Sequence, residues 1–175
     1  MKNEIDFSLD HPIDGKELLS ASGPLRRSAW LLERIRKDDL FLLQDGAYSQ
    51  LLFAEVLNLF VSGHFIATTV LAFSFIERAI AGRLSHNGEK SMANGSSTEL
   101  LDAALRERWL TAEEHANLNE LRNVRNPLIH FRDHSAATRP EVKAVLSAKT
   151  TEEQIETDAI RTLEAAIHVL NKTAI

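Results

Sequence analysis

A chain of 175 residues with 44% hydrophobic and 26% charged residues has the size and composition of one soluble globular domain. It contains no cysteine, which removes disulfides, thiolate metal sites and a cysteine nucleophile from consideration. A formal charge of −5 argues against broad nucleic-acid binding, which sets many Lys and Arg against phosphates, so any such contact must be local.

Met1 to Asp6 is polar and acidic and lacks the apolar core of a signal peptide, so a cytoplasmic protein is expected. Sustained period-2 alternation is absent and helical periodicity recurs, which predicts an all-α fold of four to five main helices. Residues 1–43 read as an N-terminal arm holding one amphipathic helix. Pro24 after Gly23 suits a first helical position, and Leu25, Ala29, Leu32 and Ile35 make one apolar stripe. Its Arg26, Arg27, Arg34, Arg36 and Lys37 are either a wet face around a half-buried Trp30 or a nucleic-acid contact.

Residues 44–175 form the bundle proper. A helix over Gln44–Val61 breaks at Ser62-Gly63, and a second runs over His64–Leu84. Its apolar run, Phe65 to Ile76, is short of the ~20 residues needed to span a bilayer, and reads as a central core helix. Residues 85–97 read as a polar loop. Capping boxes at Ser96/Glu99, Thr111/Glu114 and Thr150/Glu153 open a short helix to about Trp109, a helix toward Arg125, and a last helix to about residue 172. Pro127 lacks an N–H and crowds the preceding turn, which predicts a kink or an end near Arg125. Residues 131–149 read as a loop with a short helical piece at Glu141–Leu146.

The chemistry concentrates in Arg125-Asn126-Pro127-Leu128-Ile129-His130. A cation, an amide and an imidazole this close can grip a phosphate and move a proton. Asn126 and His130 are four apart and share a helical face, whereas Arg125 and His130 lie about 140° apart on a regular helix. Either Pro127 bends the chain to bring them together, or a second copy completes the site. The plainer alternative is a helix C-terminus where cations balance the dipole and Asn126 ends the helix. His134 reads as a solvated loop histidine, and Glu77, on the apolar second helix, as one half of a structural ion pair.

The segment resembles the Arg-x(4–6)-His motif of the HEPN superfamily, in which a polar residue follows the Arg. Leu52 to Ala67 and Leu71 to Arg78 are similar to that family's first two helices, and the likeness covers about residues 44–172. The resemblance implies an up-and-down helical bundle that dimerises with two Arg-His segments facing one cleft. It also implies either a metal-independent ribonuclease of a toxin–antitoxin or phage-defence system, or a catalytically inactive dimeric binding module. In the first case Arg125 steadies the charge on phosphorus, His130 transfers protons, and Asn126 orients one of them. Arg122 and Arg132 are the accessory RNA contacts. No metal and no cofactor is expected, and an antitoxin resembling a nucleotidyltransferase is the expected partner. A helical bundle unrelated to that superfamily is the third reading.

Overall fold

The computed structural model of the chain describes residues 23–35 and 46–173. Among them are eight helices and no strand: α1 (Pro24–Arg34), α2 (Ala47–Ser62), α3 (Phe65–His86), α4 (Lys90–Ala93), α5 (Ser97–Arg106), α6 (Ala112–Ile129), α7 (Pro140–Leu146) and α8 (Thr151–Thr173). The protein is all-α. The N-terminal residues 1–22 and the basic pair Arg36-Lys37 lie outside the described residues, as does Gln44, the expected start of α2.

The helix starts follow local chemistry. At α5 and α6 the hydroxyls of Ser96 and Thr111 accept from the N–H groups of Glu99 and Glu114, whose carboxylates reach back to the cap N–H groups. Thr150 and Glu153 make the same reciprocal pair before α8. Between α2 and α3 the chain turns on Gly63, whose φ of 80° is left-handed, while the His64 N–H donates to the Leu59 carbonyl. A two-residue joint between long, mutually packed helices makes them an antiparallel pair.

Helix α3 is the axis of the molecule, packing against α2, α4, α5, α6 and α8. It is long and apolar enough by composition to cross a membrane, but half of that window is buried inside the bundle, as in a core helix. Its most extensive contact is with α8, and both carry buried alanines (Ala72 and Ala79; Ala159 and Ala166), the residue type that lets helix backbones approach closely. Around this axis Phe60, Phe73, Ile76, Ile80, Leu121 and Leu163 are fully buried, each stabilising the fold by roughly 1.5–3 kcal/mol.

Four sequence expectations are corrected. Trp30 is not half-buried but wholly enclosed, its ring centroid 5.3 Å from that of Phe60, so α1 shares the bundle's core. Arg27 is not on a wet face: it is buried, its Nε donates to the Val61 carbonyl at 2.9 Å, and its guanidinium lies 3.4 Å from where a Cβ on Gly63 would sit. The arginine caps the end of α2, whose last carbonyls need donors. The expected loop at 85–97 contains the short helix α4, and α5 ends at Arg106 instead of continuing to about Trp109.

The start of α6 is tied to the end of α8. Lys172 Nζ lies 2.5 Å and His168 Nε2 2.6 Å from Glu114 Oε1. Burial pushes the Glu114 carboxyl up, but Lys172, the Thr111 N–H and His168 together outweigh it and hold the group at about 2.

Candidate functional site

Helix α6 carries the motif, and Pro127 does not break it. The helix runs through Pro127 to Ile129, and His130 leaves it in extended conformation with its N–H donating to the Asn126 carbonyl at 2.9 Å. Three residues from the end, the proline removes only one ladder bond, from the carbonyl of exposed Asn123, while buried Leu121 and Val124 hold the preceding turn to the core. Regular helix this far along keeps Arg125 and His130 on different sides, so Pro127 does not bring them together within one chain.

The two sides are unlike. Arg125 faces inward and is only 9% exposed. Its Nη2 donates to Glu77 Oε1 of α3 at 2.6 Å and to Ser97 Oγ of α5 at 3.3 Å, and its Nη1 faces Asn126 Oδ1 at 3.4 Å. The guanidinium lies over the Phe73 ring, 5.0 Å from its centroid. Ser97 also hydrogen-bonds Glu77, closing a triangle among three helices. The Arg125–Glu77 pair is the structural ion pair expected of Glu77.

This triangle ends a polar seam between antiparallel α5 and α6. His115 Nε2 and Asp102 Oδ1 meet at 2.8 Å, Arg122 Nη1 donates to Thr98 Oγ1, and Arg125 reaches Ser97. Residues 115, 122 and 125 recur at near-helical spacing, so one face of α6 supplies all three. Arg122 is thus braced to α5 on the Arg125 side and is not set beside His130.

His130 is exposed and lines an open groove of about 280 Å³ with Pro127, Phe131, Arg132, Arg139 and Thr151. Arg139, which the sequence reading did not single out, organises it. Its Nη2 and Nε bind the two carboxylate oxygens of Glu141 at 2.8 and 3.2 Å, and its Nη1 donates to the Arg132 carbonyl at 3.3 Å and to His134 Nδ1 at 3.2 Å. The fork holds the Glu141 carboxyl at about 2, chiefly through its hydrogen bonds. Within the same loop the Ser135 N–H and hydroxyl hold the Asp133 carboxyl below its ordinary value. The available signal was Arg139-Pro140-Glu141, an arginine before a helix-opening proline with an acid in the first turn.

The groove adjoins a wider apolar one of about 1050 Å³ that shares Ile66 and Ile155, is floored by Leu59, Phe65 and Val70, and is edged by glutamates such as Glu152 and Glu156. Burial pushes the Glu156 carboxyl up against the opposing pull of Arg27. Phe131, at 85% exposure, lines the smaller groove, and Ile129 at the end of α6 is also exposed. Among the described residues no group of three His, Asp or Glu side chains is placed to hold a metal ion. Compared with protein-family models, curated proteins and solved structures, the chain matches none.

Proposed function

We propose that the chain is a metal-independent endoribonuclease of HEPN type, acting as a homodimer in a toxin–antitoxin or phage-defence system. The observation that carries this is the ending of α6: Arg125 and Asn126 followed by a histidine delivered at the helix end into an open groove with two further arginines. His130 takes the proton of an RNA 2′-hydroxyl, the 2′-oxygen attacks the adjacent phosphorus, and the bond to the 5′-oxygen breaks as the protonated His130 of the second copy gives that oxygen a proton. The products are a 2′,3′-cyclic phosphate and a 5′-hydroxyl. Arg125 steadies the extra charge on the phosphoryl oxygens, Asn126 orients the groups beside it, and Arg132 guides the strand.

Because α6 keeps Arg125 and His130 of one copy apart, a second copy supplies the partner residue. The exposed Ile129 and Phe131 and the apolar groove beside His130 offer it a surface. An antitoxin related to nucleotidyltransferases is the proposed regulator. The test is purified protein against single-stranded and structured RNA, with product ends analysed. Cleavage that survives EDTA and leaves cyclic phosphate is expected; cleavage that requires added metal, or full activity in His130→Ala, overturns the mechanism. Sedimentation should show a dimer at micromolar concentration, and a strict monomer there would rule out the shared site.

A second reading, a catalytically silent dimeric binding module, is favoured by one observation: Arg125 is already committed to Glu77 at 2.6 Å. Absence of cleavage on every RNA tried, with a dimer intact, selects it.

A further inference from the structure

We infer that Glu77 is a positioning residue for Arg125, and that Ser97 assists it. The inference deepens the ribonuclease reading and rests on it for its kinetic arm. An arginine has five N–H donors in a rigid fork. Glu77 and Ser97 take those of Nη2, and Asn126 faces one of Nη1 across a long 3.4 Å. Nε is buried with no partner, so Nε and one Nη1 proton remain unspent. Arg122 likewise leaves its Nε buried without a partner, so the donor that distinguishes Arg125 is the Nη1 proton that Asn126 does not take.

The hold is also rigid. Glu77 lies mid-helix on α3, Ser97 is the first residue of α5, and the Phe73 ring supports one face of the fork. Two neighbouring helices, α3 and α5, thereby fix the Nη2 end of the group, as preorganised charge stabilisation requires. The Asn126 amide, one residue along, is set by its contact with Nη1. The substrate class this arrangement suits is a phosphodiester, one of whose oxygens can accept the Nη1 proton that remains.

The test uses Glu77→Gln, Glu77→Asp and Ser97→Ala in the full chain, with helical circular dichroism as the check on folding. Two readouts are taken. The first is phenylglyoxal modification of Arg125 against Arg132, read by peptide mass spectrometry, which needs no enzyme activity. The second is kcat and KM on RNA.

In the wild type Arg125 should react far more slowly than Arg132; Glu77→Gln should raise its reactivity several-fold, and Ser97→Ala should raise it less. Glu77→Gln should lower kcat roughly ten- to a hundredfold with little change in KM, the size of a misplaced rather than a missing group. Glu77→Asp should recover part of that loss. Arg125 reactivity unchanged in folded Glu77→Gln, or a kcat equal to the wild type, overturns the proposal. If Glu77→Gln does not fold, Ser97→Ala decides by the same two readouts. If the wild type cleaves no RNA, the ribonuclease reading fails, while the modification arm still decides whether Glu77 holds Arg125.

Discussion

Arg125, in the last turns of α6, and His130, the residue just past its end, are five residues apart and sit in opposite physical settings. Arg125 is enclosed by α3, α5 and an aromatic ring, and its charge is matched by Glu77. His130 stands at the exposed end of α6, beside a loop that carries Arg132 and Arg139. The first setting makes a side chain expensive to remove and hard to move; the second leaves it cheap to replace and free to meet a ligand. Two positions five residues apart can therefore differ sharply in burial, because the direction a side chain takes turns by about 100° with each helical residue.

The contrast breaks most visibly under alanine substitution. Arg125→Ala and His130→Ala should each cut RNA cleavage by roughly a hundredfold or more, one losing charge stabilisation and the other proton transfer. Their stabilities should part. Arg125→Ala strands a mostly buried carboxylate and should cost roughly 2–4 kcal/mol, whereas His130→Ala should stay within about 0.5 kcal/mol. Chemical denaturation of the two variants measures this, and equal losses would erase the distinction between the two settings.

Acid should weaken the enclosed side of α6. Glu114 is held at about 2, against an unfolded carboxyl near 4.3. A depressed carboxyl contributes stability that is present above its unfolded value and lost as pH falls through its folded one. The thermal midpoint should therefore drop between about pH 5 and pH 2. Lys172→Met, which removes the strongest partner of Glu114, should flatten that dependence, and an unchanged slope would assign it to other carboxylates.

Changes in the His130 loop should be smaller and local. Arg139→Lys cannot reproduce the two-pronged bond to Glu141, so amide exchange at Ser135 and Ala136 should quicken while the global melt hardly moves. A large shift in the melt would make this loop part of the core. Least of all should follow from His134→Ala, which removes one acceptor of Arg139 and should leave turnover within about twofold; a loss as large as that of His130→Ala would move the proton transfer to His134.

Much of the fold was legible because its signals are local. The three Ser/Thr-x-x-Glu boxes mark helix starts that depend only on residues three apart, and Gly63 marks a left-handed turn that disfavours other residues. The Arg125–His130 segment was legible for the same reason: its residue types are unusual at that spacing.

The errors came where the outcome depends on neighbours distant in sequence. Pro127 ends most helices, yet buried Leu121 and Val124 hold α6 to the core and the helix continues. Trp30 and Arg27 look like residues of a surface helix, and only Phe60, Val61 and Gly63 of α2 explain why both are buried. Arg139 had a local signal in Glu141 two residues on, but its contacts with Arg132 and His134 are gathered only by the turn of the 131–139 loop.

By itself the sequence determined the helical class and most helix starts, and it drew attention to five residues, Arg122, Arg125, Asn126, His130 and Arg132, since periodicity, capping and side-chain chemistry are properties of short windows. Only the tertiary structure decided that Arg125 is bound to Glu77 while His130 stays open. That choice is set by which helices lie on either side of α6, and their packing arises from burial summed over the whole core.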